Sequence, residues 1–192
     1  MTSPYQKHRD WWKDCQRCPL GKQRSRIVLA RGRVPCDVLF IGEAPGVSED
    51  ALGQPFIGPA GKLLDRIVDD ALDPIFMGSD RPKVVFTNLV ACFPKLAKSE
   101  GVNHQPAEAE IKACSTRLKE FVDEVARPRL IVCVGALSEK WVPQFIDPFS
   151  VEMIHIVHPA AILRAPDAQR GLMVRRCVVV LANAVEALHA ED

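Results

Sequence analysis

The chain has 192 residues, 47% of them apolar, and a formal net charge of +1, so there is material for one packed core and little for two. Near-neutrality excludes a uniformly basic nucleic-acid binder, and no apolar run approaches the roughly 18–20 residues of a membrane-spanning helix. The opening MTSPYQKHRDWWKDC holds no apolar secretory segment, which makes a cytoplasmic protein the expectation.

In chain order, residues 11–18 read as a short helical lead-in stopped by Pro19. Residues 37–42 (DVLFIG) form a short apolar run closed by glycine, the pattern of a buried parallel strand. Residues 43–61 are rich in Gly and Pro and read as a loop, followed by helical spacing over 62–72. A strand is expected at 84–90, an irregular polar loop at 94–105, an amphipathic helix at 107–125 and a strand at 129–134. A helix begins at 137–141, a strand spans 151–157, and a long helix runs over 170–189. This alternation predicts an α/β fold: a three-layer α/β/α domain over residues 1–192 with a central parallel sheet of four strands. In such sheets ligands bind beyond the carboxyl ends of the strands, which is where Glu43, Asn88, Cys92 and His158 fall.

Charge is distributed unevenly. Residues 22–33 carry Lys22, Arg24, Arg26, Arg31 and Arg33 without an acid, and residues 164–176 carry Arg164, Arg170, Arg175 and Arg176 against Asp167 alone. Both stretches are either solvated surface or phosphate contacts. Of the seven cysteines, Cys133 and Cys177 sit in apolar runs as core residues would, and Cys36 has no evident partner. Cys15, Cys18, Cys92 and Cys114 remain. Cys15-x-x-Cys18 has metal-ligand spacing, and four thiols from three segments suit a closed site. Spacing alone does not separate zinc from an iron–sulfur cluster.

The segment GEAPGVSEDALGQPFIGPAG, residues 42–61, contains five glycines and three prolines, the composition of a tightly shaped loop that brings backbone amides to a ligand. It has neither a Walker pattern nor G-x-G-x-x-G, so no nucleotide cofactor is expected. Glu43 is placed as a general base or electrostatic stabiliser, or as a helix cap. Phe56 either offers a ring face to a base or fills the core. Asn88, in an apolar strand, needs hydrogen-bond partners, and its amide matches the N3–H and O4 edge of uracil, whereas cytosine presents the opposite pattern.

CQRCPL at 15–20, GEAPGVSED at 42–50, GQPFIGPAGKLLD at 53–65, TNLVACFP at 87–94, EIKAC at 110–114 and HPAAILR at 158–164 together resemble the iron–sulfur branch, family 4, of the uracil-DNA glycosylase superfamily. The resemblance implies a structural 4Fe-4S cluster on Cys15, Cys18, Cys92 and Cys114, and hydrolysis of the N-glycosidic bond of uracil in single- or double-stranded DNA by a monomer. It assigns water activation to Glu43, a uracil-pocket wall to Ala44, loop support to Glu49 and base stacking to Phe56. Edge reading falls to Asn88, stabilisation of the leaving base to His158, and a duplex wedge to residues 159–164.

The stretch between Cys92 and Cys114 is longer than the family pattern, the extra residues falling in KLAKSEGVNHQ. Asn103 lies where the family carries an active-site Asn. His104 is one residue off the register of a related branch whose histidine bonds covalently to the sugar, and that branch's KRRIH is absent, so turnover rather than trapping is expected. The alternatives are a glycosylase for another base, a covalent trap for uracil-DNA, a non-catalytic DNA-binding module, and a zinc-stabilised nucleotide-binding protein.

Overall fold

The computed structural model describes residues 2–76, 81–95 and 105–190. Its order is α1 (Pro4–Trp12), α2 (Leu20–Gln23), β1 (Arg31–Gly32), β2 (Val38–Gly42), α3 (Val47–Leu52), α4 (Pro59–Leu72), β3 (Val84–Asn88), α5 (Glu108–Glu120), β4 (Leu130–Val134), α6 (Ala136–Phe145), β5 (Glu152–Ile156), α7 (Pro159–Arg164) and α8 (Asp167–Ala190). No described helix is long and apolar enough to cross a membrane.

The sheet has five strands in the order β1-β3-β2-β4-β5, not the expected four. Strands β2 to β5 are parallel, as anticipated. The added β1 pairs antiparallel to β3 through Arg31↔Phe86 and Gly32↔Val85, which makes the sheet mixed. Two residues carry no readable alternation, so β1 leaves no trace in the sequence pattern. The central strands β2 and β4 are buried along their whole length, which is why they read as unbroken apolar runs.

Two cores fill the faces. Leu39, Ile41, Ile131 and Cys133 meet Leu118, Phe121 and Trp141 on one side; Phe40, Val132 and Val134 meet Leu64, Ile67, Cys177, Leu181 and Val185 on the other. Cys133 and Cys177 are thus core residues on opposite faces, and Cys36 is buried in the same core as Cys133.

The first helix starts and ends earlier than expected. Ser3 caps it by accepting from the Gln6 amide and Pro4 opens it, so it is complete at Trp12 and leaves Cys15 and Cys18 in the turn before α2. The expected loop at 43–61 holds α3 and the first turn of α4, and residues 159–164 are helical. Helix α5 continues as a π-helical stretch, Phe121–Ala126, that turns Phe121, Val122, Val125 and Ala126 into the core.

Candidate active site

The carboxyl ends of β2, β3 and β5 open into a pocket of about 320 Å³ lined by Ala44, Glu49, Phe56, Asn88, His158 and three glycines of the 42–61 segment, Gly46, Gly58 and Gly61. Sequence-distant residues therefore share one wall: Asn88 ends β3, His158 follows β5, and Phe56 sits between α3 and α4. Asn103 and His104 lie outside the described residues.

Phe56 is 6% exposed and adopts φ 56°, a left-handed conformation that costs a bulky residue about 1–3 kcal/mol unless its surroundings hold it. Two glycines provide the hold. A Cβ on Gly61 would lie 1.9 Å from the Phe56 carbonyl oxygen, so the first turn of α4 presses directly on the Phe56 backbone. A Cβ on Gly42 would lie 2.4 Å from Phe56 Cζ and 2.5 Å from Asn88 Oδ1, so the end of β2 is the floor on which both side chains rest. The Phe56 ring is near-parallel to the His158 imidazole, at 6.5 Å between centroids and 30° between planes, and tilts against Phe86 at 5.9 Å.

Glu49 is buried and organises the loop. Its carboxylate accepts from the amides of Gly46 (3.1 Å), Ile57 (3.1 Å) and Gly58 (2.9 Å), tying the residues just after Phe56 to the start of α3. This is loop support more than contact with a ligand. Neighbouring Asp50, equally buried, accepts from the amide of Ser25 at 2.8 Å.

Arg31 contributes a link that the sequence did not disclose. It donates to the Pro55 carbonyl (3.1 Å) and to Asp65 Oδ1 (2.7 Å) while its guanidinium lies 4.2 Å above the Phe86 ring. The basic segment 22–33 is therefore partly turned inward, and Arg31 holds the residue before Phe56 instead of facing phosphate.

Glu43 stands at the exit of β2, half-buried. Burial raises its carboxyl above the usual range, opposed by a hydrogen bond from Gln105 and by the charge of Arg164. His158 caps α7, and its Nδ1 accepts from the Ala160 amide at 3.1 Å. Burial, with Arg164 nearby, pushes its pKa down to about 4. A neutral imidazole that accepts at Nδ1 carries its proton on Nε2, so His158 can donate one hydrogen bond without bearing charge.

Behind β3 lies a second, narrow cavity lined by Cys15, Cys18, Cys92 and Cys114, together with Arg17, Arg24 and Arg117. All four cysteines are free thiols. Among the described residues no three His, Cys, Asp or Glu side chains converge on a point as a single ion would require. The thiols instead surround a space, and the hydrogen-bond donors beside the sulfurs suit thiolate ligands. Arg24 donates to Cys92 Sγ (3.4 Å) and to the Cys15 carbonyl (2.7 Å), and the amides of Leu20 and Gly21 donate to the Cys18 thiol. Burial pushes the Cys92 thiol up to about 11, so thiolates there need a compensating cation, which a bound metal group supplies. The donor set fits an iron–sulfur cluster.

The family model of the uracil DNA glycosylase superfamily matches residues 30–182, and so contains β1 through most of α8. The chain belongs to the uracil DNA glycosylase superfamily. It is 33% identical over 185 residues to the type-4 uracil-DNA glycosylase of Pyrobaculum aerophilum, covering 86% of this chain and 87% of that protein. It is 40% identical over 129 residues to the type-4 uracil-DNA glycosylase of Saccharolobus solfataricus, covering 67% of this chain and 54% of the other, so it spans about half the length of that relative. A solution NMR structure of a Methanosarcina acetivorans protein shares the fold, with TM-score 0.53 at 12% identity, covering 83% of this chain and 97% of that one. Of the residues singled out from sequence, Ala44, Glu49, Phe56, Asn88 and His158 line one pocket at the sheet's carboxyl edge. Gly42, Gly61 and Arg31 were not anticipated.

Proposed function

We propose that this protein is a monofunctional uracil-DNA glycosylase of the iron–sulfur type, hydrolysing the bond between uracil N1 and deoxyribose C1′ and leaving an abasic site. The observation that carries this reading is the meeting of Asn88, Phe56 and a neutral His158 in one pocket, with Glu43 next in the chain to its lining residue Ala44.

A uracil in a duplex is inaccessible, so the nucleotide turns out of the stack and enters between Phe56 and the Asn88 wall. Asn88 Oδ1 accepts from uracil N3–H and its amide nitrogen donates to O4; cytosine would set acceptor against acceptor and donor against donor. As the N1–C1′ bond breaks, its electron pair passes to the base, and Nε2–H of His158 donates to O2, where the negative charge gathers. The Glu43 carboxylate stabilises the oxocarbenium-like sugar and orients the water whose oxygen bonds C1′ and whose proton it accepts. Leu163 and Arg164, exposed on α7, would enter the gap left by the base. A neutral base-anion stabiliser suits this leaving group, because a charged imidazolium would pay its desolvation before the base carries charge.

Cys15, Cys18, Cys92 and Cys114 would hold a 4Fe-4S cluster, which when bound supplies a structural cross-link between the N-terminal turn, the end of β3 and α5. The protein acts as a cytoplasmic monomer with residues 1–192 forming one domain.

The test is release of uracil from an oligonucleotide with a single labelled uracil, presented opposite G, opposite A and unpaired. Alkali-labile cleavage at that position, slowed at least about 10²-fold in Asn88→Ala and in Glu43→Gln, is the expected result. No release in any of the three contexts would overturn the assignment of uracil.

A further inference from the structure

We propose that Arg117 is a positioning residue that holds the base-reading Asn88 in place and couples it to the cysteine cavity. The inference rests on the reading of Asn88 given above. Arg117 is 1% exposed, the largest fully buried side chain among the described residues. It lies three residues after Cys114 on α5, on the same helix face, and lines the same cavity as the four cysteines.

Its guanidinium points at the end of β3. One nitrogen donates to the Asn88 carbonyl (2.6 Å) and the Leu89 carbonyl (3.0 Å); the other donates to Thr87 Oγ1 (3.1 Å), whose hydroxyl in turn donates to the Leu29 carbonyl (2.6 Å). The reason for an arginine here is topological. Strand β1 pairs only with Val85 and Phe86, so no strand reaches Thr87 or Asn88 on that side of β3. The guanidinium takes the place of the missing neighbour, satisfying carbonyls that would otherwise be buried without a donor. The backbone of Asn88 is thereby fixed from both sides: β2 pairs Gly42 with Asn88 and receives the Leu89 amide on the Gly42 carbonyl, while Arg117 grips the opposite side.

The charge also needs an account. Among the described residues no carboxylate forms an ion pair with Arg117, and an uncompensated buried cation is costly. The anionic groups that share its cavity are the cysteine sulfurs, which carry net negative charge when they ligate a cluster. One side chain therefore answers to the cluster site through its charge and to the base pocket through its hydrogen bonds. Lysine cannot replace it, since a point charge does not span two carbonyls and a hydroxyl.

The experiment is a double-mutant cycle in the cluster-bearing protein, using Arg117→Lys, Arg117→Met and Asn88→Ala. Single-turnover uracil release is measured alongside the visible spectrum, the melting temperature and binding of an oligonucleotide carrying a non-cleavable deoxyuridine analogue against its cytosine counterpart. Arg117→Lys is expected to keep the visible spectrum and slow release about 10–100-fold, with the binding preference for the uracil analogue reduced by a similar factor. In the Asn88→Ala background the same substitution is expected to change the rate less than about threefold, because its action passes through Asn88. Should Arg117→Met not fold, Arg117→Lys decides alone. Equal losses in both backgrounds, or no loss in either, overturn the proposal. An Asn88→Ala protein as fast as wild type would instead refute the reading of Asn88, and the two failures are distinguishable.

Discussion

The amide of Ala160 donates to Nδ1 of His158 across 3.1 Å, and this bond decides which nitrogen of the imidazole carries the proton. Protonating Nδ1 would replace an accepted hydrogen bond with two opposed donors, which agrees in direction with a pKa pushed down to about 4, chiefly by burial. The unfolded chain takes up a proton on this histidine near its ordinary value of 6.5, whereas the folded chain resists until about 4. Stability contributed at this site is thus intact above about 6.5 and lost as pH falls from there to about 4. Urea unfolding of wild type and His158→Asn over this range should show wild type losing stability relative to the variant. Parallel curves would mean that His158 is not the group concerned.

Activity should respond to a different residue. His158 stays neutral until about pH 4, whereas burial raises Glu43 above its usual 4.5, and in the proposed mechanism its ionised form is the active one. The acid limb of the single-turnover rate therefore belongs to Glu43. Glu43→Gln should lower the rate by about 10²–10⁴-fold and flatten that limb. A limb of unchanged shape in the variant would transfer the role to another acid.

Gly42→Ala places a methyl group into Phe56 Cζ and Asn88 Oδ1. The strand itself tolerates alanine, so the fold should persist while the pocket closes. The expected outcome is a near-normal circular dichroism spectrum with loss of uracil release, and a variant with normal kcat/KM would show that Phe56 and Asn88 have room to retreat.

Glu49→Ala leaves three amides, one buried and two half-buried, without their acceptor. A cost of about 3 kcal/mol follows, or a fall in Tm of roughly 6–12 °C. Calorimetry checks this, and a shift under about 2 °C would mean that water replaces the carboxylate without penalty.

Arg31→Lys separates clamp from phosphate contact. A clamp that joins Pro55 to Asp65 fails with lysine, so release should slow while the salt dependence of DNA binding keeps its slope. A slope smaller by about one, with the rate otherwise intact, would return Arg31 to the DNA surface.

Much of this was legible because apolar runs and glycine-rich turns are local signals. Strands β2 and β4 announced themselves by continuous burial, and the motif glycines announced a shaped loop. What escaped notice depends on contacts between distant segments. Strand β1 is two residues long and exists only because β3 offers an edge. Arg31 looked like one more surface cation in a basic run. Arg117 had a faint signal: it falls on the apolar stripe of its helix with Cys114, Leu118 and Phe121, where a charged residue calls for a buried partner. Glu49 was marked as loop support only by the family resemblance and Asp50 by nothing, because their burial comes from Ser25, Lys95 and the Phe56 turn folding over them.

On the proposed stacking role of Phe56, the contact between Gly61 and the Phe56 carbonyl makes residue 61 part of the specificity apparatus through its backbone alone. Position 56 invites variation, since any flat side chain could in principle stack on a base. Position 61 does not, because every other amino acid would push the loop off its helix and carry the ring with it. Divergence towards new bases in this fold thus has a path through the ring itself and a dead end five residues downstream, and libraries built to change base preference should randomise the first position while keeping the second as glycine.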